Sequence, residues 1–249
     1  MPPIRNIQSG VFPGTPCGCT HSALTALQSA ILDDNPTNAV CGTKDFSGAN
    51  DPVIVGSPST SAPKCYNNEC LGVDLNDGLT GQYIDYGNAG EVTAGVPLSV
   101  ELWFKISNVQ PGSYTFPVIG KIGNSDHVPW AITWNGGSAS SANFAVDTAA
   151  GAIGTTATSF HTGSCYQFVM TIPNNGLTPA RFYVNGALDK IANTQTLNHY
   201  ATQQNTFAGY AQYLYFVTTH YFSITVHIAA FYSSVLSAAS IANHWAKRQ

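Results

Sequence analysis

Short apolar runs alternate with turn-forming residues through most of the chain, a pattern typical of antiparallel β proteins. Apolar and polar positions alternate in residues 99–105 (SVELWFK) and 180–185 (ARFYVN), so one side of each segment is predicted to face a core. The same reading, bounded by Gly, Asn and Ser clusters, predicts strands at 82–87, 98–106, 114–122, 131–135, 141–147, 164–172, 180–186, 212–219 and 223–232.

These strands predict an all-β fold, an antiparallel two-sheet jelly-roll sandwich. Many short strands separated by turns are typical of sandwiches and jelly rolls. No helix-length pattern alternates with the strands, which argues against a parallel α/β sheet. We therefore assign residues 71–249 to one jelly-roll domain.

Residues 1–70 have a different texture and are predicted to form a loop-rich, Cys-rich N-terminal arm. One amphipathic helix is expected near 20–34, ending before Pro36 because proline disfavours helical geometry in the residue before it. Residues 42–64 are rich in Gly, Pro and Ser and are predicted to be an extended connector.

The C-terminal segment combines a strand with a short helix. After the strand at 223–232, residues 236–245 read LSAASIANHW. Ser237 is a suitable N-cap, and Ile241 and Trp245 lie four residues apart on one helix face. A short C-terminal helix is therefore predicted to pack against the sandwich.

This ending resembles the C-terminal signature of laminin-G-like jelly-roll domains in the concanavalin A-like lectin/glucanase superfamily. The matching residues are Phe222, Phe231, Tyr232 and the segment 236–241 (LSAASI). Three further segments resemble family strands in the same order: 81–87 (GQYIDYG), 98–105 (LSVELWFK) and 181–186 (RFYVNG), where Asn-Gly is typical of a tight hairpin turn. The resemblance covers about residues 75–249. It departs at Ile224 and His227, where the family often has Gly and Asp.

Charge is sparse, which changes the expected setting of the protein. Only 9% of residues are charged, against roughly 25% in an average domain. Weak repulsion between copies favours assembly, and the absence of a basic patch argues against nucleic acid. No apolar segment approaches the length of a membrane span, and the first ten residues, MPPIRNIQSG, lack a signal-peptide core. We expect a virion surface or an extracellular location.

Six cysteines indicate possible cross-links. Cys17, Cys19, Cys41, Cys65 and Cys70 are disulfide candidates, with a small loop between Cys65 and Cys70, although the sequence cannot fix the pairing. Cys165 lies in an apolar strand and is interpreted as a free buried thiol. A zinc site is disfavoured because the Cys17–Cys19 spacing and the lone His21 do not match structural zinc motifs.

The sequence does not predict a catalytic residue. The resemblance extends to glycoside hydrolases, which need two carboxyl groups. Glu101 has no acid two or four positions away and is interpreted as an outward or hydrogen-bonded residue. No cofactor is expected. Asp126 and Asp147 are the weak candidates for calcium, which prefers several oxygen ligands.

Aromatic side chains are candidates for a glycan-binding platform. We single out Trp130, Trp134, Tyr210 and Tyr213. The alternative role is core packing for Trp134, as for Trp103, and a protein interface for the Tyr residues.

Two hypotheses about function remain. The first is a non-enzymatic structural or assembly protein that presents a lectin-like jelly roll on a particle, most simply a virion decoration, cement or fibre protein. Its partners would be copies of itself or neighbouring structural proteins. The alternative is an extracellular glycan-binding module without catalytic activity.

Overall fold

A computed structural model defines the fold. It describes residues 21–42, 44–48, 51–56, 60–65, 70–76, 82–109, 112–121, 128–138, 141–148, 151–197, 205–209 and 222–247.

Two antiparallel sheets form a sandwich in the described part of the chain. The first sheet, sheet A, contains β1 (Asn38–Cys41), β2 (Lys44–Asp45), β4 (Thr60–Cys65), β5 (Cys70–Asn76), β7 (Leu98–Val109), β13 (Cys165–Ile172), β14 (Pro179–Val184), β15 (Ala187–Thr194) and β17 (Phe222–Tyr232). The second, sheet B, contains β3 (Val53–Val55), β6 (Tyr83–Asp85), β8 (Gly112–Lys121), β9 (Trp130–Ser138), β10 (Ser141–Thr148), β11 (Gly151–Thr155), β12 (Phe160–His161) and β16 (Thr206–Ala208).

The strand order places chain-distant segments side by side. Sheet A runs β15-β14-β13-β7-β17-β1-β2, with β5 also pairing with β17, and sheet B runs β11-β10-β9-β8-β16-β6-β3. β15 and β11 lie against each other, since a Cβ on Gly154 would come within 3.1 Å of Ala192. The β1–β2 edge and the β3 edge therefore share the opposite side of the sandwich.

The core between the sheets is dominated by aromatic rings. Phe144 packs against Phe104 and Phe160 at centroid distances of 4.9 and 4.5 Å. Phe168 meets Phe144 edge-on at 5.4 Å. All four rings are fully buried, and such offset and edge-on pairs add to the stabilisation from buried apolar area.

The Asn185–Gly186 turn confirms the hairpin predicted from the sequence. Both residues have positive φ, 51° and 80°, as a type I′ turn between β14 and β15 requires. Glycine is also needed at 186 for space, because a Cβ there would lie 2.8 Å from Trp245 Cβ.

Two helices, α1 (His21–Asp33) and α2 (Ala238–Ala246), cover the outer face of sheet A. Both confirm sequence predictions, and Ser237 caps α2 by accepting a hydrogen bond from Ser240 N at 3.0 Å. The helices bury Leu27, Ile31, Ile241 and other residues against the sheet in a second apolar cluster. Trp245 joins it by stacking on Trp103 at 5.6 Å.

The prediction that residues 1–70 form an arm separate from the sandwich is wrong for much of that segment. β1 pairs with the long strand β17, placing Asn38 opposite Phe231 and Cys41 opposite Ile228. β3 extends sheet B through β6. Residues 42–64 are too rich in turn-forming residues to suggest strands from the sequence. β3 forms there because β6 supplies its hydrogen bonds, and β2 and β4 pair with their neighbours β1 and β5.

Eight of the nine predicted strands are confirmed within a few residues. The strand expected at 212–219 lies outside the described residues. β11, β12, β15 and β16 were not predicted, because they are short or lack strict alternation; β15, for example, is mostly exposed on both faces.

Candidate functional site

A cleft of about 480 Å³ opens at the side of the sandwich where β1 and β3 lie, and we call it the edge cleft. Both sheets and the loop after β6 contribute to it. Its lining residues are Thr37, Asn38, Asp51, Val53, Asp85, Tyr86, Gly87, Asn88, Ala89 and Asn205. Most carry oxygen or amide groups.

Asp85 is fixed in the edge cleft by two hydrogen bonds. Its Oδ1 accepts from Gly87 N at 2.8 Å, and its Oδ2 accepts from Asn205 Nδ2 at 2.9 Å. The first bond is a local Asx turn. The second joins residues 120 positions apart, because β6 pairs with β16. The carboxylate is thus held in one orientation before any ligand arrives.

A second set of polar groups forms the opposite wall. Asp51 accepts from Lys44 Nζ at 2.7 Å and from Asp45 N at 2.9 Å. The Lys44 hydrogen bond is the main cause of the lowered pKa of Asp51. Asn38, only 6% exposed, donates its Nδ2 to Asp45 Oδ2 at 3.2 Å. Its Oδ1 is buried without a hydrogen-bond partner among the described residues.

The loop 86–92 covers the end of the core next to the edge cleft. Thr206 Oγ1 donates to Ala89 O at 2.5 Å and Trp130 Nε1 donates to Gly90 O at 2.9 Å. Gly90 has φ +62°, and a Cβ there would lie 2.8 Å from the Trp130 ring. Glycine therefore allows the loop to lie directly on the indole.

Lys121 is a buried cation near this loop. It lies on β8 opposite Thr206 and Trp130, is fully buried, and its Nζ has no hydrogen-bond partner in the described part of the chain. Burial lowers the pKa of Lys121 to about 8, although the charges of Glu91 and Asp85 oppose that shift. Lys121 does not line the edge cleft.

A separate polar network lies under the two helices and centres on Glu101 of β7. Glu101 Oε1 accepts from Trp103 Nε1 at 2.8 Å and from Gln167 Nε2 at 2.7 Å. Oε2 accepts from Tyr232 Oη and His244 Nδ1, both at 3.0 Å. Glu101 is completely buried, so the predicted hydrogen-bonded alternative for this residue is confirmed.

His244 connects this network to α1. Its Nε2 lies 3.0 Å from both Ala30 O and Asp34 Oδ2. Since a carbonyl can only accept, Nε2 carries a proton, and Nδ1 donates to Glu101. Burial alone would lower the pKa of His244, but the hydrogen bond and charge of Glu101, with Ala30 and Asp34, raise it. Burial would raise the pKa of Glu101, but His244, Gln167 and Trp103 lower it.

This network is closed to ligands and fastens the helices to the sheet. Glu101, Gln167 and His244 are each fully buried. Because a ligand cannot reach side chains buried to this degree, we assign the network a structural role.

The proposed aromatic platform is not supported by the structure. Trp130 is fully buried and Trp134 is 2% exposed, and both pack in the core between the sheets. Their prediction as sugar-stacking residues is wrong because β9 directs both inward; core packing is the alternative role that the sequence analysis gives for Trp134. Tyr210 and Tyr213 lie outside the described residues.

The calcium candidates are not brought together. Asp147 accepts from Thr133 Oγ1 at 2.7 Å on β10, and Asp126 lies outside the described residues. Within the described ranges, no group of three or more His, Cys, Asp or Glu side chains is placed to hold a metal ion.

The cysteines depart from one sequence interpretation. No cysteine is free in the portion of the chain that the structure describes. Cys41 and Cys165 each take part in a disulfide bond. The interpretation of Cys165 as a free buried thiol is therefore wrong. The β4–β5 register places Cys65 opposite Cys70 along the backbone, and their disulfide loop stays a prediction. Cys17 and Cys19 lie outside the described residues.

Sequence reasoning missed the edge cleft because its residues come from four distant segments, near 38, 51, 85 and 205. The local signal is the Asp85-Tyr86-Gly87 turn, which the sequence pattern presents only as the end of a strand.

A family model described as the concanavalin A-like lectin/glucanases superfamily matches residues 77–242. The chain belongs to this superfamily. The match begins after β5, so the superfamily segment contributes Asp85 and Asn205 to the edge cleft, while Asn38 and Asp51 come from the preceding strands. No helix in the described residues is both long and apolar enough to cross a membrane.

Solved structures share the fold at low identity. The binding domain of botulinum neurotoxin serotype D/C is 12% identical, with a TM-score of 0.62, over 88% of this chain and 53% of that one. A structure of botulinum neurotoxin type C, whose cell entry depends on interaction with two ganglioside molecules, is 11% identical, with a TM-score of 0.61, over 88% of this chain and 52% of that one. This lectin-like chain thus spans about half the length of the neurotoxin structures.

A Trypanosoma rangeli sialidase bound to 2,3-difluorosialic acid is 14% identical, with a TM-score of 0.57, over 84% of this chain and 32% of the sialidase. A search of curated protein sequences found no match.

Proposed function

We propose that the chain is a glycan-binding module without catalytic activity, and that its ligand occupies the edge cleft. The observation that carries the proposal is the set of oriented carboxylate and amide groups in that cleft, with the buried acceptor Asn38 Oδ1 in its wall. Saccharides present many hydroxyl donors, which such acceptors bind. The volume of about 480 Å³ falls in the range of small-ligand sites.

The lectin-like fold and the surface of the cleft support this proposal. Botulinum neurotoxin type C, whose structure shares this fold, interacts with gangliosides, which are glycolipids. Val53, 60% exposed, supplies an apolar surface at the cleft for the C–H face of a sugar ring.

The two carboxyl groups that line the cleft, Asp51 and Asp85, support a binding role rather than glycoside hydrolysis. A glycosidase needs one carboxyl group that stays protonated, which requires a raised pKa. Asp51 instead has a lowered pKa and an ion pair with Lys44. Asp85 uses both oxygens to accept hydrogen bonds from Gly87 and Asn205.

Replacing Asp85 with Asn is expected to weaken glycan binding about tenfold or more, the loss associated with about 1.4 kcal/mol. The amide removes one acceptor and places an N–H group against a donor, either Asn205 Nδ2 or Gly87 N. Binding would be measured by saturation-transfer NMR and titration, using a ligand selected on a glycan array.

The matched control is Asp189→Asn. Asp189 also accepts backbone hydrogen bonds, from Ala157 and Thr158, but it lies on β15 at the far edge of the sandwich. The Asp189→Asn substitution removes one negative charge, as Asp85→Asn does, but it lies outside the edge cleft. Equal affinities for Asp85→Asn and wild type, with both folded, would locate glycan binding elsewhere. Titrations with and without a chelator would test our expectation that calcium is not required.

A second proposal concerns the setting: presentation of this module on the exterior of a particle, such as a virion, through contacts between copies or with neighbouring structural proteins. The supporting observation is β15, an edge strand of sheet A, where Leu188 and Ile191 are 52% and 56% exposed. Exposed apolar edge strands are ready sites for pairing with another chain. The sparse charge of the chain, 9%, offers little repulsion against it.

We expect the protein to self-associate at high concentration and to become monomeric when Leu188 and Ile191 are both replaced by Glu. Light scattering after size-exclusion chromatography measures this. The control is Val235→Glu, which changes an exposed apolar residue outside β15. Deleting residues 1–70 is unsuitable as a test because it removes α1 and β1 from the fold. A wild-type monomer at all concentrations would remove self-assembly from the proposal.

A further inference from the structure

We propose that the edge cleft selects uncharged saccharides and rejects anionic ones, such as sialylated or sulfated glycans. This inference rests on the proposed glycan-binding function and adds the ligand class. Three features of the cleft carry it: the sign of its charges, the buried acceptor that it leaves unpaired, and the position of the nearest cations.

Carboxylates outnumber accessible cations at the cleft. Asp51 and Asp85 line the cleft. Asp45 is hydrogen-bonded to both Asn38 and Asp51. In the described ranges the exposed ammonium at this wall is Lys44, and it is already paired with Asp51 at 2.7 Å. An anionic ligand would therefore meet a like-charged surface, and like charges brought together oppose binding.

A buried acceptor in the wall of the cleft is left unpaired among the described residues. Two donor groups at this site, Gly87 N and one N–H of Asn205 Nδ2, are already bound by Asp85. Asn38 donates to Asp45, and its own buried Oδ1 remains without a donor. A buried acceptor left unpaired carries a free-energy cost, so a ligand that brings a hydroxyl donor gains from it. Carboxylate and sulfate groups bring acceptors alone and cannot satisfy it.

No arginine is placed to reverse this preference in the described residues. Arg181 lies on β14 in the other half of sheet A, toward the β15 edge. Lys121 is a cation that interacts electrostatically with Asp85, but it is buried and does not line the cleft. The neighbouring sequence segments 49–50 and 198–204 contain neither Lys nor Arg. Among the described residues, none of those lining the cleft is an arginine that could supply bidentate recognition of a carboxylate or sulfate.

The test compares matched glycans that differ in one acidic group. N-acetyllactosamine, its 3′-sialyl form and its 6-sulfo form would be titrated against the full chain at 150 mM NaCl, after a glycan array that includes all three classes. We expect the acidic forms to bind at least about tenfold more weakly. At 1 M NaCl, where the Debye length falls to about 3 Å, the difference should narrow.

A charge-introducing variant sharpens the comparison. Val53→Lys places an ammonium in the cleft and should raise the ratio of sialylated to neutral affinity severalfold, whereas Val235→Lys, distant in the chain and outside the lining, should leave that ratio unchanged. The ratio is the readout, so a general weakening by Val53→Lys does not affect it.

The outcomes separate this inference from the function on which it rests. Tighter binding of sialylated or sulfated glycans than of neutral ones overturns the charge selection and leaves glycan binding in place. Binding of neutral glycans that Asp85→Asn does not change moves the site away from the cleft and overturns the inference. Failure of every glycan class on the array overturns the proposed function and this inference together.

Discussion

Replacing Glu101 with Ala is expected to lower the free energy of unfolding by about 3–5 kcal/mol, the cost typical of removing one partner from a buried ion pair. The change strands the protonated His244 ring and leaves donors on Trp103, Gln167 and Tyr232 without their acceptor. Urea unfolding measures the effect. Fluorescence is a suitable probe, because Trp103 both donates to Glu101 and stacks on Trp245.

Two further variants separate the charge from the packing. Asp33→Ala, which removes an exposed carboxylate at the end of α1, should change stability by less than about 0.5 kcal/mol. Replacing Glu101 and His244 together with Leu should cost less than the sum of the single changes, since no charge is then left unpaired. A loss below about 1 kcal/mol for Glu101→Ala would show that the network contributes little.

The same pair gives stability a definite pH dependence. The raised pKa of His244 adds stability that is complete below the unfolded value of about 6.5 and is lost as pH rises through the folded pKa. The lowered pKa of Glu101 adds stability that is complete above about 4.3 and is lost as pH falls through its folded pKa. Their joint contribution is therefore greatest between about pH 4.3 and 6.5, and Glu101→Ala should flatten both flanks.

The sandwich could be predicted from local pattern because its central strands carry the signal within themselves. Residues 98–106 alternate between apolar and polar side chains, and residues 164–172 are mostly apolar. They form β7 and β13, which pair in a register that places Leu98 opposite Ile172 and Lys105 opposite Cys165. The same holds for α2, whose cap and apolar spacing lie within ten residues. β1 and β3 carry little such signal and owe their strand geometry to β17 and β6.

The functional groups were predicted less well, and the reason is long-range pairing. Asn205 reaches Asp85 across 120 residues, and His244 reaches Glu101 across 143. Neither spacing has a sequence signature. Trp130 and Trp134 illustrate the reverse problem, because a large aromatic residue suits a sugar platform and a core equally well by composition. Only the direction of β9 decides between those roles.

Replacing Lys121 with Met is expected to stabilise the protein at pH 7, by about 1–3 kcal/mol. Burial lowers the pKa of Lys121 to about 8, and each unit below the unfolded value corresponds to about 1.4 kcal/mol against folding with the charge present. Met fills similar volume without a charge, so no large cavity is created. The lost attraction to Glu91 and Asp85 makes the gain smaller than the full shift implies.

The pH profile identifies the cause of that stabilisation. Between about pH 8 and 10.5 the unfolded chain holds the Lys121 proton while the folded chain releases it, so wild-type stability should rise through this window relative to Lys121→Met. Urea unfolding at pH 7, 8, 9 and 10 would show the two curves converging. Lys190→Met, at an exposed position on β15, should follow the wild type throughout. A Lys121→Met protein that is less stable than wild type at pH 7 would mean that the ammonium holds the loop 86–92 through Glu91 and Asp85 by more than its burial costs.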